Sequence, residues 1–173
     1  SNAFFAVMLF AGFWSLLSGM HLVVADFDTK VLVSSIKFLF VVPLPVIWFL
    51  MAAWFTDFPV SQRMIGVPFV VPVVSLGVLA TNDWHHLFFV SNQPFEMERF
   101  TTIAREYGGW FWVNMGYSYL MVLGGFLMFF RKVVTSRGYV RVQALIMMVG
   151  SAFPLLFNAF YFLGPAAFLF LDW

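Results

Sequence analysis

The chain has 173 residues, 62% hydrophobic and 10% charged, against roughly 45–50% and 25% in soluble globular domains, so it carries more apolar surface than a water-soluble core can bury. Its formal net charge of +1 comes from lysines and arginines that form no continuous basic stripe, which sets aside nucleic acid as a partner. With no cysteine, a disulfide framework, thiolate chemistry and cysteine-ligated zinc or iron–sulfur sites are all excluded.

Ser1-Asn2-Ala3 resembles the scar of a removed expression tag, so residues 1–3 are set apart from residues 4–173. A first span runs from Phe4 to Ala25, because about 20 residues rising about 1.5 Å each cross a hydrocarbon layer about 30 Å thick. His21 is its only strongly polar interruption. After Asp26-Phe27-Asp28-Thr29-Lys30 comes a second span, Val31 to Phe55, which carries Lys37 and is kinked by Pro43 and Pro45. Asp57 and Pro59 end it. The third span, Met64 to Ala80, is short, and Pro68 and Pro72 stand one turn apart in it, freeing backbone carbonyls on a single face. That makes it a hinge candidate. Thr81 to Gly109 is the longest polar stretch, setting Asp83, Glu96, Glu98 and Glu106 against Arg99 and Arg105. A fourth span follows from Trp110 to Phe130, then a compact basic turn from Arg131 to Arg141, then a fifth span from Val142 to Leu163. Gly164-Pro165 and the apolar tail to Asp172-Trp173 begin something the chain does not finish. The expected fold is all-α: a polytopic transmembrane helix bundle with five visible spans.

Orientation follows from the lysines and arginines near span ends, since cytoplasmic loops carry the excess. Arg131, Lys132, Arg137 and Arg141 crowd one short loop and Arg63 falls on the same side, whereas Asp26, Asp28, Asp83 and the glutamates of the long loop fall on the other. The basic loops are therefore expected to be cytoplasmic. Trp84, Tyr107, Trp110 and Trp112 mark the outer edge, the depth at which amphipathic aromatics settle. Five spans put the start of the chain inside and its end outside, and one further span on each side would return the end to the cytoplasm.

Polar groups within the spans divide between ligand contacts and packing. A lysine at the centre of a span costs about 2.5–3.5 kcal/mol, so Lys37 must find water or a partner. It lies on the order of 10 Å inside Lys30 along the helix, and snorkelling outward competes evenly with reading an anionic ligand group. His21, His85 and His86, with Asp26, Asp28 and Asp83, offer imidazole and carboxylate near the outer surface, but adjacent histidines diverge by about 100° on a helix. Capping or interfacial roles are favoured over a metal. Haem is less favoured still, because no second deep histidine faces the first. No metal or cofactor is expected. Asn114, Tyr117, Ser118 and Met121 share one face of the fourth span, as do Trp14, Ser18 and His21 on the first. Asn158, one turn after Pro154, is placed to satisfy a freed carbonyl. Gly124 and Gly125 permit close helix approach, and Ser15 with Gly19 is a small-residue pair of the same kind.

Several of these residues stand together in a familiar order. Trp14, Lys30 with Lys37, Pro43-Leu44-Pro45, and Pro72 leading to Thr81-Asn82 and His85-His86-Leu87-Phe88 come first. The most recognisable stretch is Tyr107-Gly108-Gly109-Trp110-Phe111-Trp112 running into Tyr117-Ser118-Tyr119, followed by Gln143-Ala144 with Pro154 and Asn158. In this order and spacing the chain resembles the seven-transmembrane N-terminal sensor region of membrane histidine kinases, also found ahead of diguanylate cyclase modules. The resemblance implies a truncated seven-helix module, its first helix before Phe4 and its seventh after Trp173. It also implies an input unit coupled to a cytoplasmic output domain, since no phosphoacceptor helix or ATP-binding module is present in this chain.

The expected function is a membrane sensory domain of a histidine kinase-type signalling protein, with no catalysis of its own. It would bind a small or lipophilic ligand in the outer half and transmit by helix rearrangement, with Pro43, Pro45, Pro68, Pro72 and Pro154 as bending points. The residues expected to line the ligand site are His21, Lys37, Asn82, His85, Trp110, Trp112, Asn114 and Tyr117, because a pocket is mostly apolar with a few placed polar groups. The bacterial cytoplasmic membrane is the expected location, and a homodimer the expected state of the full-length protein. A small transporter or membrane redox subunit is the alternative, although no internal repeat is visible.

Overall fold

A computed structural model describes residues 2–97 and 100–163, and its architecture is the expected helix bundle with one hairpin added. Helix α1 (Asn2–Val23) is followed by α2 (Phe27–Val41) and α3 (Leu44–Phe55), which together make one apolar run of 29 residues. The interruption falls at Val42–Pro43, where the prolines at 43 and 45 remove two successive helical donors. α4 (Gln62–Gly66), a 3-10 turn (Val67–Phe69) and α5 (Val70–Ala80) form a broken helical segment where the third span is expected. After the single turn of α6 (Asn82–His85) come strands β1 (Phe89–Met97) and β2 (Phe100–Tyr107), then α7 (Gly109–Thr135) and α8 (Gly138–Leu163). Three helical runs, Asn2–Val23, Phe27–Phe55 and Gly109–Thr135, are long and apolar enough to cross a membrane, and Val67–Ala80 and Gly138–Phe153 are shorter apolar helices.

The antiparallel hairpin was not legible as such in the polar stretch 81–109. Its register pairs Ser91 with Glu106 and Asn92 with Arg105, and a bulge at Val90 separates these pairs from Phe89 opposite Tyr107. Side chains alternate along a strand, so the extra residue turns Phe89 onto the same face as Asn92, Arg105 and Tyr107.

Two apolar cores divide the bundle along its length. At the end bearing the basic loop, Ala3, Met51, Ala52, Phe129 and Ala144 bring together α1, α3, α7 and α8, with Trp48 and Phe55 packed against them. Ala3, set apart on sequence grounds, is thus the innermost packed residue of α1. At the end bearing the hairpin, Phe88, Phe89 and Phe111 form a second core against Phe38 of α2, Val78 and Leu79 of α5, and Tyr107. Close approach of α3 and α7 depends on glycine, as expected: a Cβ at Gly125 would stand 2.8 Å from Trp48 Nε1, and one at Gly124 3.0 Å from Phe49. The Ser15 and Gly19 face of α1 is exposed, with nothing within reach of a Cβ at Gly19. An ion pair between Lys132 Nζ and Asp57 Oδ2, 2.8 Å long, joins the loop after α3 to the last turn of α7, so these two basic-end segments lie on one side. The side chains of Pro154 and Asn158, expected to act together, lie outside the described residues.

Candidate ligand-binding site

The hairpin end gathers most of the residues expected to line a ligand site, and the structure gives each a definite neighbourhood. Asn82, at the start of α6, is fully occupied by the root of the hairpin. Its Oδ1 accepts from the Phe88 and Phe89 amides at 2.9 and 3.0 Å, and its Nδ2 donates to the Phe89 carbonyl at 2.8 Å. His85 is equally committed. Its Nδ1 accepts from the Leu87 amide at 3.0 Å, which leaves the ring proton on Nε2, 3.0 Å from Thr81 Oγ1. Both ring nitrogens are used, and no group of three or more metal-ligating side chains is found among the described residues.

On α7, Trp110 and Tyr117 tie the helix to the broken third segment. Trp110 Nε1 donates to the buried hydroxyl of Ser75 on α5 at 3.0 Å. The Tyr117 hydroxyl donates to the Pro68 carbonyl at 2.6 Å. That carbonyl is the one whose helical donor, residue 72, is a proline and has no N–H. The tyrosine therefore replaces a missing backbone bond and pins the expected hinge to α7. Trp112 is 52% exposed, with its ring edge-on to Phe111 and Tyr107, the placement of an interfacial aromatic.

The remaining expected residues have polar capacity left over. Asn114 is buried at 8% exposure and its Oδ1 has no hydrogen-bond partner. His21, in the last turn of α1, has an unpartnered, buried Nδ1. Lys37 is half-buried on α2 and lies within electrostatic reach of both His21 and Arg105.

Arg105 is the residue that the sequence did not single out. From β2 it lays its guanidinium 4.3 Å from the Phe89 ring centroid and 6.0 Å from that of Phe38, the residue next to Lys37. Its Nε donates to Asn92 Oδ1 at 2.9 Å, while Nη2 is buried with no partner. Burial lowers the arginine from its ordinary value, and the nearby Tyr107 acts in the opposite sense. The only advance signal was an arginine two residues before Tyr107-Gly108-Gly109-Trp110; the placing of Phe89 on its face depends on the bulge at Val90, which no local pattern announces. Among the described side chains the acidic groups are turned elsewhere: Asp26 caps α2 through Thr29, Glu106 lies near Ser91 on the opposite strand face, and Asp28 and Asp83 are exposed.

A family model described as the N-terminal 7TM region of histidine kinase matches residues 1–173. The chain belongs to that family. It is accordingly a multi-pass membrane input region rather than a catalytic domain, and the transporter or redox alternative is not favoured. No curated protein and no solved structure matches it.

Proposed function

We propose that this histidine kinase input region is a receptor in the strict sense. It takes a small or lipophilic ligand among α1, α2, the hairpin root and the first turns of α7, and passes occupancy to a cytoplasmic output module by rearranging helices. The observation that carries this reading is the set of buried polar atoms without partners at the hairpin end, His21 Nδ1, Asn114 Oδ1 and Arg105 Nη2, beside an aromatic core. An unsatisfied buried polar group costs about 1–3 kcal/mol, so a ligand that meets these atoms recovers free energy that the empty bundle gives up. Of the eight residues expected from sequence, Asn82, His85, Trp110 and Tyr117 hold the frame and Trp112 stands at the membrane interface. His21, Lys37 and Asn114 contact the ligand.

Transmission follows from the links between elements. Tyr117 and Trp110 couple α7 to α5, and α7 continues without a break to the basic loop, packed on α3 through Gly124 and Gly125. A ligand shifts such an equilibrium only by its differential affinity for two packings, so the site must change shape as α7 moves. The broken helices at Pro43 and Pro68–Pro72 supply the compliance. In this reading the module works in the bacterial cytoplasmic membrane, and the full-length protein is a homodimer. The test is autophosphorylation of the full-length protein in membranes. Asn114→Leu keeps bulk and removes the amide, and it should change kinase output at normal membrane yield, as should His21→Leu. Output unchanged in both, at normal yield, rejects the receptor assignment for this end of the bundle.

A further inference from the structure

Two cationic side chains, Arg105 and Lys37, lie within electrostatic reach at the hairpin end, with no carboxylate bonded to either among the described residues. Arg105 is held from three sides: its Nε by Asn92 at 2.9 Å, and its planar face by Phe89 at 4.3 Å and Phe38 at 6.0 Å. What these contacts leave over is Nη2, buried and without an acceptor. Lys37 precedes Phe38 on α2, within reach of the guanidinium's charge. From α1, His21 lies within reach of the charges of Lys37, Lys30 and Arg105; its ring engages the Lys30 backbone, and its Nδ1 lacks a partner.

Like charges brought together repel, and a group of opposite sign relieves that cost. A stacked arginine fixed by an amide is pre-organised, because its donors are aimed before anything binds. Guanidinium donors match the oxygens of phosphate and carboxylate in spacing and plane, while an ammonium adds an adjustable point charge. The aromatic floor of Phe38 and Phe89 is suited to the first carbons attached to such a group.

We propose that Arg105 and Lys37 form a binding site for a single oxyanion group, the phosphate or carboxylate of an amphiphile or of a small free ligand. This rests on the receptor assignment above and names the chemical class of the ligand: anionic, with its charge seated between the hairpin root and α2.

The experiment measures binding and not signalling, so its failure is distinct from failure of the receptor role. The purified chain in neutral detergent is titrated with sodium phosphate against sodium chloride at matched ionic strength, reading the thermal midpoint. In parallel it is placed in bilayer discs of phosphatidylcholine alone or mixed with phosphatidylglycerol. A saturable rise with phosphate identifies a free oxyanion as sufficient, and a rise only with phosphatidylglycerol identifies the lipid headgroup. In either arm Lys37→Gln should weaken the effect at least about tenfold, since it removes one partner of a desolvated charge pair. Arg105→Lys, which keeps the charge and loses the fork, should weaken it less than Arg105→Gln. Arg137→Gln, in the basic loop, should leave it intact. Should Arg105→Gln fail to fold, Lys37→Gln and Arg105→Lys still decide the matter. No rise in either arm for the wild-type chain, or an equal rise in Lys37→Gln and Arg137→Gln, overturns the proposal.

Discussion

Gly108 is a glycine for want of room. Its backbone is extended, at φ −79° and ψ 172°, which any residue adopts, but a Cβ there would overlap the Leu87 carbonyl and lie 2.7 Å from the His86 carbonyl oxygen. Backbone cannot move aside as a side-chain tip does, and the Gly108 amide is itself bonded to the Phe88 carbonyl at 3.0 Å. Gly109 has nothing within 4 Å. Gly108→Ala should therefore cost about 1–3 kcal/mol or more in unfolding measurements, and Gly109→Ala should stay within about 0.5 kcal/mol. Equal losses would mean that the hairpin root does not pack as described. A second residue-scale effect is titratable. Asp26 caps α2, accepting from the Thr29 hydroxyl at 2.6 Å and the Thr29 amide at 2.8 Å, and these two bonds, the hydroxyl first, hold its carboxyl below its ordinary value. A folded-state value below the unfolded one gives stability that is present above the unfolded pKa and lost as pH falls through the folded pKa. The chain should thus lose stability on acidification below about pH 4, and Asp26→Asn should flatten that part of the profile while leaving the neutral-pH cap largely in place. An identical acid limb in the variant would assign it to another carboxylate.

Prolines set the helix interruptions, and this level of structure was legible in the sequence because a missing N–H is a local fact. Pro43 and Pro45 break the second apolar run where expected, and the 3-10 turn holding Pro68 interrupts the third segment, with Pro72 in the first turn of α5. What could not be read was the partner of a freed carbonyl. Tyr117 bonds Pro68 across 49 positions of chain, and nothing near Pro68 announces it. The hairpin escaped for a similar reason. Its strands are polar on exposed faces, its pairing is non-local, and a bulge shifts the register that alternation alone would give. Likewise Asn82 and His85 were recognisable as important, but both serve the hairpin root, whose existence the sequence did not reveal. Tyr117→Phe isolates the pinning bond: it keeps the ring and strands the carbonyl, and should destabilise by about 1–3 kcal/mol in mixed-micelle unfolding. No loss would mean that water reaches Pro68 and that α5 bends independently of α7.

At the scale of the whole molecule, the two cores assign different tasks to the two ends. The basic end is glycine- and methionine-rich at its helix contacts, with Trp48 Nε1 as its unpartnered buried polar atom among the described residues, while the hairpin end holds His21 Nδ1, Asn114 Oδ1 and Arg105 Nη2. Which end faces the cytoplasm decides whether the proposed site samples the exterior. The charge distribution places Arg63, Arg131, Lys132, Arg137 and Arg141 at one end, and the Asp57–Lys132 pair ties two of those segments together. Such an exposed pair contributes only about 0–1 kcal/mol, so it locates segments rather than stabilising them. The chain has no cysteine, which makes a labelling experiment clean. In intact cells a cysteine replacing exposed Gln93, on β1, should react with a membrane-impermeant thiol reagent. One replacing Ser136, between α7 and α8, should react only after the membrane is opened. The reverse pattern would turn the bundle over, placing Lys37, Arg105 and His21 toward the cytoplasm, where an anion binding there would report on metabolism inside the cell instead of on its surroundings.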